Sequence, residues 1–402
     1  MARSNKLKIN FLNSDGYTFE ISRFLHDYGH ACLYYTDYIN HPMLSPGWFC
    51  KSISDEDVTR MRRLDLSTTS PLAFDIKSKD ILTKISASDV IHSMGLYGYW
   101  ALLTKRPFVY QIFGGDVTRW PFLDDTPEDR ARAYLIREIL HKATIIWGGY
   151  HQKDTYKGLQ ELGIPKEKVR PLYLPVDSNH FKPLEQSDTI SLRKQHDSEG
   201  KFVVLLASQL KFNPHAALNY SKGSDLFARA VQEFIKKADK DDIAFWVVDK
   251  GPERLEFHKL VEDLGLTPHI RWITPSNRAL LPVLFNAADV ILDQVWPECG
   301  SHGSLALEAM ACKKPVFLHL DQDFRRDISM EPLLPNIQIT TVEDIRDSLL
   351  HLYRQPEKRE SIGQAAREFI LQEYDAPVVC KKLTGFYREA IEIHAAKQKD
   401  RA

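Results

Sequence analysis

The chain has 402 residues, a length that suits two domains better than one. Lys and Arg number 53 and Asp and Glu 54, so the formal net charge of −1 gives no reason to expect nucleic acid as a partner. The five cysteines are scattered and lack CxxC spacing, which argues against a disulfide framework or a zinc site. We therefore expect a reducing, cytoplasmic location.

Neither a secretory leader nor a membrane-spanning helix is expected from the hydropathy of the chain. The first residues contain no long apolar core, and no run approaches the roughly 18 apolar residues that a membrane helix needs. Work at a membrane would have to take place from its surface, so a peripheral contact at the inner face of the membrane stays open.

Short apolar runs alternate with helical patterns along the whole chain. Predicted strands cover Leu7–Leu12, Asp89–Ile91, Phe108–Phe113, Thr144–Trp147, Val169–Leu174, Phe202–Ala207, Ile243–Val248, Ile270–Ile273, Val290–Asp293 and Pro315–His319. Predicted helices cover Phe19–Tyr28, Glu128–His141, Asp225–Lys237, Glu253–Leu264, Ala279–Ala287 and Ser304–Cys312. This alternation predicts parallel sheets with helices on both faces, an α/β architecture.

The alternation pauses between about Pro175 and Lys201, a polar stretch that we interpret as the interdomain linker and its flanks. Two helices are predicted in the tail. Thr341 and Asp344 are spaced as a capping pair at the start of the first, and the second lies near 381–394.

The segment after the strand that ends at Asp293 carries the strongest functional signal. A loop rich in Gly, Ser and His leads to a helix that begins near Gly303. Backbone N–H groups at a helix N-terminus favour an anion such as a diphosphate, and glycine lets the backbone approach it closely. Glu308 is the only charged residue of this helix. It needs a partner if it is buried, either a sugar hydroxyl or a neighbouring backbone group.

The order of several short motifs resembles the large retaining glycosyltransferase family 4, which has the GT-B fold. The motifs are Asp89-Val-Ile-His92, Leu174-Pro-Val-Asp177, Lys222-Gly-Ser-Asp225, Gly251-Pro-Glu253 and Glu308-Ala-Met-Ala311. The resemblance implies two doubly wound Rossmann-like domains that face each other across a cleft. Residues 1–180 would form the acceptor-side domain and residues 181–375 the nucleotide-sugar domain. The helix within 376–402 would pack back on the first domain.

The resemblance also implies the residues of the site. His92 and Asp116 are the expected catalytic residues, His92 by contact with the sugar or acceptor and Asp116 by orienting an acceptor hydroxyl or accepting its proton. Their alternatives are a core histidine and a helix-capping aspartate. The expected donor-binding residues are Gln209, Lys222, Glu298, Gly300, His302, Gly303, Ser304, Leu305 and Glu308.

The chain departs from the family pattern at two charged positions. The first acid of the family's E-x7-E pair would stand at position 300, which is Gly300, and Glu298 lies two residues earlier. The family's arginine before the Lys-Gly motif is Gln209. Diphosphate and sugar contacts are therefore expected to be rearranged or partly lost. Lys222 would stabilise the charge that builds on the departing nucleoside diphosphate.

Three Asp-x-Asp strings, at 55–57, 239–241 and 321–323, could hold Mg²⁺ in principle, but we interpret all three as solvated acids. No metal and no cofactor are expected. The predicted function is glycosyl transfer from a nucleotide sugar to a glycan or lipid-linked acceptor, as in polysaccharide biosynthesis. The alternatives are a nucleotide-sugar 2-epimerase of the same fold and a non-catalytic GT-B partner of another transferase. The sequence does not identify the sugar, the base, the acceptor, the linkage or the oligomeric state.

Overall fold

The chain folds into two compact units, each built around one parallel sheet. The computed structural model describes residues 6–13, 16–36, 54–63, 76–112, 114–148, 152–213, 221–238, 242–275, 277–296, 300, 302–328 and 332–400. The first unit consists of the described residues up to Pro175 and from Pro377 onward, and the second runs from Val176 to Ile328 and from Pro332 to Ala376.

The first unit contains a seven-stranded parallel sheet. Its strands are β1 (Lys8–Leu12), β2 (Ala31–Thr36), β3 (Met61–Arg63), β4 (Val90–Met94), β5 (Phe108–Gln111), β6 (Ile145–Trp147) and β7 (Val169–Arg170). The spatial order is β3-β2-β1-β4-β5-β6-β7, with Ile9 of β1 opposite both Cys32 and Val90. The strand order reverses between β1 and β4, which makes this the topological switch point of the sheet.

Helices cover the sheet of the first unit on both faces. They are Gly16–Asp27, Asp55–Arg60, Ile76–Ser86, Gly98–Thr104, Gly115–Thr118, Pro127–Lys142, Lys153–Glu161 and the last helix, Ala376–Lys399. The last helix contributes Val379, Leu383 and Tyr387 to a buried cluster that also contains Ile9 and Phe11 of β1. It is therefore part of the core of the first unit although it is the last element of the chain.

The second unit contains a six-stranded parallel sheet. Its strands are β8 (Phe202–Leu206), β9 (Ile243–Val248), β10 (Ile270–Ile273), β11 (Val290–Leu292), β12 (Val316–Leu318) and β13 (Ile337–Gln338), in the order β10-β9-β8-β11-β12-β13. Here the strand order reverses between β8 and β11. Ligands of open α/β sheets bind beside the carboxyl ends of the strands at such a point.

The helices of the second unit form because their apolar residues recur at helical spacing. They are Gln186–Gln195, Ser224–Ala238, Arg254–Asp263, Leu281–Ala287, Ser304–Ala311, Gln322–Asp327, Val342–Arg354 and Pro356–Glu373. In Ser224–Ala238, Phe227, Val231 and Phe234 are fully buried at intervals of four and three residues, which turns one face of the helix to the sheet.

Both predicted α/β halves are confirmed, and the predicted strands of the second unit agree with the structure to within about one residue at either end. The predicted capping pair is confirmed as well, because Thr341 and Asp344 bond each other's backbone reciprocally. Within the described ranges, none of the helices combines the length and the apolar character that crossing a membrane requires.

Residues 175–201, which the sequence predicts to be the interdomain linker and its flanks, contain a helix of their own. Helix Gln186–Gln195 lies within this stretch, and Arg193 ties it to the second unit by bonds to the carbonyls of Ala287 and Lys201 and to Asp289. The helix is largely polar and contains few apolar residues, so its sequence lacks the apolar periodicity by which helices are predicted.

Candidate functional site

The carboxyl end of β11 brings the chemically active loop of the second unit against a helix N-terminus. Asp293 follows the strand and is 3% exposed. Its side chain accepts a hydrogen bond from the backbone N–H of Gly303, and the Ser208 hydroxyl donates to its carbonyl at 2.9 Å. A side chain at Gly303 would approach Nε2 of Gln294 to 3.0 Å, so glycine leaves the space in which helix Ser304–Ala311 begins.

Lys222 contacts the same loop, although it comes from another part of the chain. Its Nζ donates to Oε1 of Gln294, and its backbone carbonyl accepts from the N–H of Val295 at 3.1 Å. Gly223 has φ +71°, and a Cβ there would lie 2.8 Å from Cγ2 of Val295. The Lys-Gly motif thus packs directly on the segment that follows β11, and the 15-residue helix Ser224–Ala238 begins beside it.

Two further lysines, which the sequence analysis did not select, stand at the carboxyl ends of the neighbouring strands β8 and β9. Lys211 is 5% exposed, and burial together with the charge of Lys222 lowers its pKa, against the opposing influence of Glu253. Lys250 is half-buried, and burial lowers its pKa while Asp293 and Glu308 act to raise it. Lys211 belongs to no recognisable motif, and Lys250 directly precedes the Gly251-Pro-Glu253 motif; the order of the strands brings the two segments together.

Asp293 is the acid at the centre of this group. Burial raises the pKa of its carboxyl, while the nearby charges of Lys222 and His302 and the bond from Gly303 oppose that rise. Its Oδ2 has no hydrogen-bond partner among the described residues. The arrangement is a basic group of side chains around one buried carboxylate, at the topological switch point of the sheet. Such a group suits a ligand with more than one negative charge.

Glu308 has a partner within the protein. It is 2% exposed, and its Oε1 accepts from Nε of Arg278 at 2.9 Å and lies 2.8 Å from Nη2 of the same guanidinium. The guanidinium also lies over the ring of Phe181, 5.1 Å from its centroid. Sequence reasoning required a partner for this acid and did not identify Arg278. Contact between Glu308 and a donor stays a prediction.

The other predicted donor-binding residues surround this group only in part. Gln209 is exposed on the loop after β8. Gly300 has φ +58° and accepts at its carbonyl from the N–H of Asp321. His302 contacts the edge of the Tyr374 ring at a centroid distance of 5.9 Å. Ser304 and Leu305 are half-buried in the first turn of their helix, and Glu298 lies outside the described residues.

His92 lies on β4 in the first unit and is fully buried. Its Nε2 is 2.9 Å from Oε1 of Gln111 and its Nδ1 is 2.8 Å from the hydroxyl of Tyr387. Because an amide oxygen only accepts, Nε2 donates, and the neutral ring accepts from Tyr387 at Nδ1. Burial lowers the pKa of His92 to about 4. These contacts match the core-histidine alternative, and a catalytic role stays a prediction.

Asp116 is also fully buried, in the short helix Gly115–Thr118. Its Oδ1 accepts from the backbone N–H of Gly114 at 2.8 Å, and its Oδ2 accepts from the hydroxyl of Tyr110 at 2.8 Å. Gly114 has φ +112°, which a residue with a side chain rarely adopts. The aspartate thus fixes the turn after β5, and its proposed action on an acceptor stays a prediction.

Three described acids of the Asp-x-Asp strings have partners in the protein, and Asp57 is buried rather than solvated, whereas Asp55 is exposed. Asp57 caps a helix and pairs with Arg23 and Arg60. Asp321 caps helix Gln322–Asp327, and Asp323 pairs with Arg326 at 2.7 Å. The string at 239–241 lies outside the described residues. Among the described residues, no three side chains of His, Cys, Asp or Glu are grouped as metal ligands would be.

Comparison with known proteins matches part of the second unit to an enzyme family. Residues 214–369 match the family "Glycosyl transferases group 1". The D-inositol 3-phosphate glycosyltransferase of Corynebacterium aurimucosum is 23% identical over 278 residues, which are 67% of this chain and 63% of that protein. The enzyme of the same name from Kribbella flavida is 24% identical over 68% of this chain and 63% of its own. The chain thus spans less than two thirds of the length of these curated relatives.

Solved structures resemble the chain over nearly its whole length. HepE of Anabaena, solved in complex with UDP, has a TM-score of 0.67 at 16% identity, with 94% of this chain and 99% of that one covered. A glycosyltransferase from Rickettsia africae has a TM-score of 0.70 at 16% identity, with 96% and 99% covered. At this identity the likeness shows the fold. The two parallel-sheet α/β units are those of the GT-B fold, and together with the family match they support a GT-B glycosyltransferase.

Proposed function

We propose that the chain transfers a glycosyl group from a nucleoside-diphosphate sugar to an acceptor hydroxyl, and that the second unit holds the donor. The proposal depends mainly on one observation. Lys222, Gly223 and Gly303 all pack on the segment that directly follows β11, at Gln294 and Val295. These are the residues of the Lys-Gly motif and of the glycine-rich loop, and they meet at the switch point of the second sheet.

The site suits a diphosphate for two physical reasons. The glycine-rich loop ends at the N-terminus of helix Ser304–Ala311, where the N-cap residue Gly303 offers no capping side chain, and helix N-termini present backbone N–H groups to anions. The ammonium of Lys222 stands in the same place and can stabilise the negative charge that develops as the nucleoside diphosphate departs. HepE was solved with UDP and also with UDP-glucose, so UDP-glucose is the first donor to test.

The finer features of the reaction belong to the same proposal. We propose transfer through an oxocarbenium-like state with retention of anomeric configuration and without metal, and with a glycan or lipid-linked acceptor. His92 and Asp116 of the first unit are the proposed acceptor-side residues. Because His92 is buried and bonded at both ring nitrogens, its proposed role needs a rearrangement of Gln111 or Tyr387.

A thermal-shift screen tests donor binding directly, because a ligand that binds only the folded state raises the melting temperature by mass action. The screen uses UDP-, GDP-, ADP- and dTDP-sugars, with free glucose as the matched control without nucleotide. A shift for one nucleotide sugar supports the proposal, and no shift for any of them at millimolar concentration contradicts it. Incubation of the donor alone then separates transfer from 2-epimerisation, which would return an isomerised sugar.

One observation favours a second candidate, a non-catalytic partner of another transferase. Gln209 replaces the family's arginine, and Glu308 is held by Arg278. A chain that binds the nucleotide sugar but neither hydrolyses nor transfers it, with any acceptor fraction offered, would fit this candidate and exclude the enzyme.

A further inference from the structure

Lys250 is fixed beside the position that lacks the arginine. It follows β9, which pairs directly with β8. The backbone N–H of Leu210 donates to the carbonyl of Lys250 at 2.7 Å. Gly251 has φ +135°, and a Cβ there would lie only 2.4 Å from the carbonyl oxygen of Leu210. The turn that carries Lys250 thus packs directly on the loop that carries Gln209.

Lys250 lies close enough to two acids of the candidate site for their charges to act on it. Burial lowers the pKa of Lys250 and the charges of Asp293 and Glu308 oppose that lowering, while its ammonium makes no hydrogen bond to any residue of the described part of the chain. Lys222, by contrast, donates to Gln294. An ammonium has three N–H donors, and a half-buried one gains when a ligand oxygen accepts from them.

The neighbouring acids do not account for this positive charge. Glu308 is already neutralised by Arg278 in a buried ion pair. Asp293 is then the acid that Lys222 and Lys250 share. Taken together, Lys222, Lys250 and Asp293 carry one positive charge in excess. The negative charge of a bound diphosphate would offset this positive charge.

We propose that Lys250 binds the diphosphate of the donor and supplies the positive charge that Gln209 cannot. The proposal rests on the proposed function, since it assumes that the second unit binds a nucleoside diphosphate. It also makes Lys250 a residue that discriminates by phosphate number, because its contact is with the phosphates and not with the base or the ribose.

Calorimetric titration of a phosphate series tests this assignment. The wild type is first titrated with UDP, GDP and ADP, and the diphosphate that binds is then compared with its monophosphate and its nucleoside. The variant is Lys250→Met, which keeps an unbranched side chain, one heavy atom shorter, and removes the charge. The matched control is Lys236→Met, which removes one exposed lysine from the far end of helix Ser224–Ala238 in the same unit.

We expect Lys250→Met to weaken binding of the diphosphate about tenfold or more, as loss of a charge-assisted hydrogen bond does. The monophosphate should lose less and the nucleoside nothing, while Lys236→Met and Lys250→Arg should bind the diphosphate as the wild type does, the latter within a few-fold. If Lys250→Met does not fold, Lys250→Gln takes its place.

Two outcomes overturn the assignment while leaving the proposed function intact. One is unchanged diphosphate affinity in Lys250→Met. The other is an equal loss for nucleoside, monophosphate and diphosphate with a lowered melting temperature, which would give Lys250 a structural role toward Asp293. A wild type that binds none of the three diphosphates would instead overturn the proposed function and this inference with it.

Discussion

The Arg278–Glu308 ion pair is buried on both sides, with side-chain exposures of 5% and 3%. Removal of one partner from such a pair strands a charge in the protein interior, at a typical cost of about 3–5 kcal/mol, whereas replacement of both by apolar groups of similar size often restores stability. We therefore expect Arg278→Met to be strongly destabilised in urea unfolding, and Arg278→Met with Glu308→Leu to recover most of the loss. The exposed Arg326→Met is the control. A double variant no more stable than Arg278→Met would contradict this account.

His92 makes the first unit sensitive to acid. Its pKa is about 4 in the folded protein, below the ordinary value of 6.5, because the ring is buried. Between pH 6.5 and 4 the unfolded chain takes up a proton that the folded chain does not, so stability falls as the pH is lowered, by up to about 1.4 kcal/mol per pH unit from this group. Below pH 4 both states are protonated and the contribution levels off.

The variant His92→Gln should remove this part of the pH dependence. Urea unfolding at pH 7, 6 and 5 should give a smaller loss of stability in His92→Gln than in the wild type, whatever the absolute stabilities are. The carboxylates titrate in both proteins and cancel in the comparison. Equal slopes of stability against pH would mean that the pKa of His92 is not lowered in the folded state.

At the scale of elements, the last helix is a structural part of the first unit. Leu383 is buried in the cluster that includes Ile9 and Phe11 of β1, while Lys381 on the same helix is exposed. Truncation of a buried leucine to alanine typically costs about 2–5 kcal/mol. We expect Leu383→Ala to speed hydrogen exchange in peptides from β1 and β4, with β8 to β11 unchanged and Lys381→Ala without effect. Faster exchange confined to the second unit would contradict this packing.

Three of the elements that the sequence did not predict carry too little apolar pattern to be recognised. Strands β3 and β13 have three and two residues, too few for an apolar pattern to register. Helix Gln186–Gln195 is largely polar and contains few apolar residues, so it leaves no apolar periodicity. β2 is different, because Ala31–Thr36 is an apolar and aromatic run of the kind that predicts a strand, and the sequence analysis overlooked it.

At the scale of the whole molecule, the site residues that the sequence identified lie in recognisable motifs, and most of those that it missed do not. Lys222 and Gly303 stand in segments with recognisable glycine spacing. Lys211, Lys250 and Arg278 come from three other segments, and they become neighbours of the site only through the order of the strands and the burial of Glu308. A long basic side chain is usually solvated, so the sequence alone offers no reason to choose Lys211 or Arg278, whereas Lys250 directly precedes the Gly251-Pro-Glu253 motif and could have been noticed.

The last prediction concerns how the molecule neutralises a diphosphate. A bound metal can do so, as can lysines with a helix N-terminus. The second unit offers Lys222 and Lys250, both of which interact with the charge of Asp293, and the N-terminus of helix Ser304–Ala311. Asp321 and Asp323 are engaged in a helix cap and an ion pair. We therefore expect transfer to proceed in excess EDTA at the rate seen with Mg²⁺ or Mn²⁺, once donor and acceptor are identified. Activity that EDTA abolishes and Mn²⁺ restores, and that Asp321→Ala also abolishes, would overturn this mechanism and move the site toward the segment after β12.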